Sequence, residues 1–187
     1  MLDLLTEVGM LGCRPIDTPM EQNHGLASST TDIFGQPDQY RRLVGHLVYL
    51  SVTRPDLSYV VHTLAQFLSN PMQHHWDAAL RVLRYLKGHL GQGIYLRPTS
   101  SLTLRAYSDS DWAVCPLTRR SLTSYVVFLG HSPISCRTKK QPIVARSSAE
   151  AEYRAMVVTT CKLKWLKSLL KTLSILHMFP MYLFCER

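Results

Sequence analysis

No run of apolar residues in this 187-residue chain approaches the roughly 18 needed to span a bilayer as a helix, so no membrane partner is expected. The stretch 178–185 is apolar but far too short, and reads as a buried strand. The opening residues Met1-Leu2-Asp3-Leu4-Leu5-Thr6-Glu7 lack a basic segment ahead of an apolar one, so a secretory signal is not expected. Paired cysteines are missing too. Cys13, Cys115, Cys136, Cys161 and Cys185 are scattered singly and odd in number. That argues against a zinc site and a disulfide framework, and for a reducing, intracellular setting in cytoplasm or nucleus. His74-His75 is the only adjacent histidine pair and reads as a surface feature at a helix start. Acidic residues are scarce, 13 against 21 Lys and Arg, which leaves a net charge of +8. A basic globular chain suits either a polyanionic partner, nucleic acid above all, or no particular partner. With 46% hydrophobic and 18% charged residues the chain reads as globular.

Residues 1–39 show little pattern. Pro15, Pro19, Gly25, Gly35 and Pro37 punctuate a polar stretch that reads as an irregular linker. Helical spacing begins at 40–50 with Leu43, Leu47 and Leu50. Pro55 suits the first turn of a second helix, with Leu57, Val60, Val61, Leu64 and Leu68 on one stripe and Asn70-Pro71 ending it. A third has Trp76, Leu80, Leu83 and Leu86 inward and Gly88 just past its end. From about residue 93 the period becomes two. Leu102, Leu104 and Ala106 alternate into Ser108-Asp109, and 124–130 and 133–139 read as a hairpin around Gly130-His131-Ser132. Ser147-Ser148-Ala149-Glu150 is a capping-box pattern opening a long helix to about 173. Along it Tyr153, Met156, Val157, Trp165, Leu166, Leu169 and Leu170 are apolar, and Lys162, Lys164, Lys167 and Lys171 load its second half. A last strand at 181–184 gives an α/β layout with a helix packed on a sheet.

Three acids fall at ends of these elements: Asp109 on the first strand, Glu152 in the first turns of the long helix, Glu186 at the last strand. If the last strand pairs parallel to the first through the helix, all three could converge at one rim. Gathered carboxylates repel unless a cation lies between them, and Mg²⁺ takes carboxylate oxygens. Two such ions, roughly 3.5–4 Å apart, activate a water and stabilise the leaving oxygen in phosphodiester hydrolysis. The plainer reading is that Glu150 and Glu152 favour a helix N-terminus while Asp109 and Asp111 mark a strand end. Spacing alone leaves both open.

Tyr107-Ser108-Asp109-Ser110-Asp111-Trp112-Ala113, residues 120–130 (RSLTSYVVFLG), Lys139-Lys140-Gln141 and residues 147–153 (SSAEAEY) together resemble the ribonuclease H domain of Copia-type retrotransposon Pol polyproteins. Residues 9–13 (GMLGC), 40–45 (YRRLVG), 50–56 (LSVTRPD), 66–68 (QFL) and 76–88 (WDAALRVLRYLKG) are similar to the region joining reverse transcriptase to that domain. The resemblance covers residues 1–173 and implies a division into a linker from reverse transcriptase (1–39), a helical connection region (40–92) and a ribonuclease H-like domain (93–187). The implied fold is an α/β, ribonuclease H-like mixed sheet with a long helix. The implied activity is cleavage of RNA in RNA–DNA hybrids with Mg²⁺ or Mn²⁺. Asp109 matches the family's first-strand aspartate and Glu152 its helix glutamate; Glu150 is expected to cap. Arg119, Arg120, Lys139, Lys140 and Lys164 are the candidate nucleic-acid contacts.

The family's last strand ends Cys-Asp-Asn, whose aspartate is the third metal ligand; here Cys185-Glu186-Arg187 stands instead. Glu186 is one methylene longer, and Arg187 adds positive charge beside the metals. The domain's remaining acid and closing helix are absent from the sequence, so the expectation is a truncated domain of impaired activity, one part of a longer Pol polyprotein. The alternative is a non-catalytic, nucleic-acid-binding remnant. The family's polymerase centre carries adjacent aspartates, and no Asp-Asp pair occurs here, so polymerase activity is not expected.

Overall fold

Apolar side chains three and four residues apart build the first of two units, Met1–Gly93. The computed structural model describes residues 2–22, 24–28, 30–97 and 101–185, and Glu186 lies outside them. Helix α1 spans Leu2–Glu7, α2 Pro37–Leu50, α3 Ser58–Ala65 and α4 Gln73–Gly88. Pro37 opens α2, where its fixed φ suits the helix and its missing N–H costs nothing. Tyr40, Leu43, Val44 and Leu47 of α2 pack with Val60, Val61 and Leu64 of α3 and with Trp76, Ala79, Val82, Leu83 and Leu86 of α4. Leu80, expected inward, is half-buried; Ala79 and Val82 take the inner face instead. The buried Tyr40 hydroxyl donates to the Leu64 carbonyl at 2.8 Å, so its polar end is satisfied inside the core.

Among the described residues, 1–36 are largely irregular in backbone, with α1 and a 3-10 turn at Leu26–Ser28, and α2 already begins at Pro37. They are nevertheless part of this core: Leu5, Leu26 and Phe34 are buried in it, and Phe34 stacks on Trp76 at 4.7 Å. Isolated apolar anchors have no period, which is why the sequence shows only a linker there.

The 50–56 stretch has a structural reason. Arg54 is 2% exposed, and its guanidinium forks onto Asp56 at 3.0 and 2.8 Å while donating to the His89 carbonyl at 3.1 Å. Tyr85 donates to the same carboxylate at 2.9 Å. A buried guanidinium needs this full set of acceptors.

The second unit, Ile94–Arg187, is mixed α/β. Strands β1 (Leu104–Asp111), β2 (Leu122–Leu129) and β3 (Ser132–Lys140) form an antiparallel run, helix α5 covers Ser148–Thr172, and β4 covers Tyr182–Cys185. The sheet order is β3-β2-β1-β4, with β4 parallel to β1. Gly130, at φ +61°, makes the hairpin turn between β2 and β3, where a left-handed backbone favours glycine. Leu104, Ala106, Tyr125 and Val127 meet Leu163, Leu166 and Leu170 of α5 in the core.

The face α5 turns to the sheet is Ala151, Ala155, Thr159, Leu163, Leu166 and Leu170. Tyr153, Val157 and Trp165 point outward, at 69%, 62% and 55% exposure. Small residues in the first two buried turns let the helix start come close to β1. Among the described residues no helix is long and apolar enough to cross a membrane.

Candidate active site

Strand alternation divides the β1 acids from their neighbours. Leu104, Ala106, Ser108 and Ser110 are buried, while Tyr107, Asp109 and Asp111 are exposed. Asp109 lines a hollow of about 460 Å³ with Tyr107, Ser124, Val126, Cys136 and Phe184. Burial first, and the negative charge of Asp109 second, raise the Asp111 carboxyl above its ordinary value.

Glu152 reaches β1 from the helix. Its Oε1 accepts the Ser110 amide at 3.1 Å. Among the described residues β4 pairs with β1 as far as Ser108 opposite Cys185, and the Ser110 amide two residues on is taken by the helix glutamate. Burial raises the Cys185 thiol, and the Glu152 charge raises it further, which places that carboxylate beside the end of β4. The start of α5, the end of β1 and the end of β4 thus meet at one rim. Glu186 lies outside the described residues, and among the described residues no three His, Cys, Asp or Glu side chains form a ready metal cluster.

Two polar devices hold the rim. The buried Gln141 amide nitrogen lies 3.3 Å from Ser110 Oγ, 3.0 Å from Thr123 Oγ1 and 3.0 Å from the Ala151 carbonyl, joining β1, β2 and α5. Thr159 Oγ1 donates to Ser108 Oγ at 3.2 Å or to the Ala155 carbonyl at 2.8 Å. Glu150 is kept apart from the rim. Ser147 Oγ accepts the Glu150 amide at 3.2 Å as an N-cap, while the Glu150 carboxylate accepts the Arg146 amide at 2.8 Å and pairs with Arg154 at 2.8 Å. These partners lower the Glu150 carboxyl, the Arg146 amide most. The carboxylate thus reaches one residue further back than the cap amide of a standard capping box.

The expected basic residues separate into groups. Arg120, Lys139 and Lys140 line one groove of about 780 Å³ beside α5, together with Arg137 and Arg154. Lys164 is exposed on α5 and Arg119 lies in a turn at φ +53°; neither lines that groove. The sequence reading missed Arg137 and Arg154, and it named Gln141 only within a motif, without a role. Arg137 was within reach of it, because on a strand it shares a face with Lys139 two residues on.

Known proteins agree on a family. The chain is 45% identical over 99% of its length to a retrovirus-related Pol polyprotein from transposon RE2, and 42% identical over 100% of its length to that from transposon RE1, both of Arabidopsis thaliana. It spans 13% of the length of each. It is also 43% identical, over 87% of its length, to an uncharacterized mitochondrial protein of the same plant, of which it covers 67%. No family model and no solved structure matches it. With homology running along the whole chain, the sequence belongs to the Pol polyproteins of Copia-type retrotransposons.

Proposed function

We propose that the Ile94–Arg187 unit is a ribonuclease H-like domain that cleaves the RNA strand of an RNA–DNA hybrid, working as a segment of a larger Pol polyprotein. The observation that supports this most is the seating of Glu152 on the Ser110 amide, two residues beyond the pairing of Ser108 with Cys185 of the parallel strand β4. It draws a helix carboxylate to the strand end that carries Asp109.

The donors on offer, Asp109 and Glu152, present carboxylate oxygens, which suit a hard cation such as Mg²⁺ or Mn²⁺. Asp109, Glu152 and Glu186 would hold it, and when bound it would supply an activated water and neutralise the leaving oxygen. The chain's own groups do the positioning. The Ser110 amide fixes the Glu152 carboxylate in one orientation, and Gln141 fixes Ser110 and the first turn of α5. Arg119, Arg120, Lys139, Lys140 and Lys164 would contact nucleic-acid phosphates, which positions the ligand without reading its sequence.

The test is cleavage of end-labelled RNA within a hybrid by the purified chain, with Mg²⁺, Mn²⁺ or EDTA, beside Asp109→Asn. Divalent-dependent cleavage that falls to background in a normally folded Asp109→Asn supports the reading. No cleavage by folded wild type, or equal cleavage of free single-stranded RNA, would overturn it.

A further inference from the structure

The groove between α5 and β3 is distinct from the hollow that Asp109 lines, and the metal chemistry proposed for Asp109 and Glu152 does not use it. One wall is β3, at one edge of the sheet. Arg137 and Lys139 project from it, in register with Tyr125 and Thr123 on β2. The other wall is α5, with Tyr153, Arg154 and Val157, and Arg120 also lines the groove. Glu150 is the acid among the lining residues, and it is taken up by Arg154 and the Arg146 amide. Among the described residues, none of Arg120, Arg137 and Lys139 is in an ion pair. Burial, and then the positive charge of Arg137, lowers the Lys162 ammonium two turns further along α5. Like charges are therefore crowded on the β3 side of the groove, while the one acid lining it is taken up by Arg154, an arrangement that a polyanion relieves.

We infer that this groove binds a single strand of nucleic acid, with phosphates on Arg120, Arg137 and Lys139 and a base stacked on Tyr153. The Tyr153 ring is 69% exposed although it stands among cations, and Val157 and Val158 extend the apolar surface beside it. Interleaved aromatic and basic side chains along a groove are the general means of holding an unpaired strand. A duplex keeps its base faces stacked inside and offers Tyr153 nothing to stack on. An acidic peptide would satisfy the cations and leave the ring unused. The groove volume of about 780 Å³ is in the range of clefts that enclose a ligand, about 300–1,000 Å³. The inference rests on the proposed function only in taking nucleic acid as the ligand.

The experiment is fluorescence anisotropy of a labelled oligothymidylate with the full chain in EDTA, so that no hydrolysis contributes. Wild type, the double variant Arg137→Ala/Lys139→Ala and Tyr153→Ala are compared across a salt series, with unlabelled oligothymidylate, hybrid duplex and polyglutamate as competitors. The double variant should bind about tenfold or more weaker and show a salt slope smaller by about one to two. Tyr153→Ala should bind about fivefold or more weaker with its salt slope unchanged. Should an alanine variant lose its cooperative melt, Arg137→Gln/Lys139→Gln and Tyr153→Leu replace it with the same expectations. Wild-type affinity in either variant overturns the inference, as does displacement by polyglutamate or duplex as efficient as by the oligonucleotide. If groove variants bind normally while hybrid cleavage persists, the groove inference falls and the proposed activity stands.

Discussion

Glu152 has two separable duties, one to the fold and one to the proposed chemistry. Its carboxylate accepts the Ser110 amide, a hydrogen bond that an amide oxygen can also accept. Glu152→Gln should therefore leave thermal stability within about 1 kcal/mol of wild type, yet abolish divalent-dependent hybrid cleavage. Glu152→Ala should lose both, because a strand amide is left without its acceptor. Melts followed by circular dichroism, beside the cleavage assay, separate the two; active Glu152→Gln would remove Glu152 from the metal site. Gln141 belongs to the fold alone. It is 5% exposed and joins two strands to the helix start, so Gln141→Leu should cost about 1–3 kcal/mol by leaving buried hydroxyls and a carbonyl poorly paired. A variant melting like wild type would show that water replaces it. Asp109 and Glu152 drew attention in the sequence because each was expected at an element's end; Glu152 does lie in the first turns of α5, whereas β1 runs two residues past Asp109 to Asp111. Gln141 was visible only as part of a motif, since its partners Ser110 and Ala151 are 31 and 10 residues away.

Elements were readable where a period persists. The β2–β3 hairpin and the amphipathic α2 and α4 follow from alternation and from three-four spacing. Helix α5 shows where this fails. Its buried face runs through Ala151, Ala155 and Thr159, which carry little hydrophobic signal, while Tyr153 and Trp165 carry much and lie outside. The entry to α4 was misjudged in a similar way: the His74-His75 pair reads as surface, but His75 is 2% exposed. Its ring stacks on Phe67 at 3.9 Å, Nδ1 accepts the Met72 amide at 2.9 Å, and Nε2 faces the Leu26 carbonyl at 3.0 Å and so carries the hydrogen. Burial, and the nearby His74, lower its pKa despite the favourable Leu26 carbonyl. The folded state thus resists a proton that the unfolded chain takes up near the ordinary histidine value of 6.5. Stability is full above that pH and is lost as pH falls below it. The melting temperature should hold between about pH 8 and 7 and decline towards about pH 5. His75→Gln should start lower and decline less. His24, lowered by burial and by His74, adds a slope of the same sign. An identical decline in His75→Gln would assign the effect elsewhere.

At the scale of the whole chain, charge and core divide the same way. Met1–Gly93 holds seven Lys and Arg against eight Asp and Glu, whereas Ile94–Arg187 holds fourteen against five. The net positive charge that first suggested a polyanionic partner therefore belongs entirely to the α/β unit, which also carries the carboxylate rim and the basic groove. Each unit has its own hydrophobic core, one built on α2, α3 and α4, the other between the sheet and α5. Fragments 1–93 and 94–187 should each give a cooperative melt, with reduced stability because units of this size bury a smaller share of their surface. Oligonucleotide binding should reside in fragment 94–187 and weaken steeply with salt, since it is carried by displaced counterions. Fragment 1–93 should show no salt-sensitive binding. Anisotropy titrations of both fragments at low and moderate salt decide the point. Binding by fragment 1–93 with a comparable salt slope would mean that local arrangement, such as the exposed Arg41 and Arg42 on α2, matters more than net charge. Binding confined to 94–187 would tie the polyanion preference to the unit that carries the candidate chemistry.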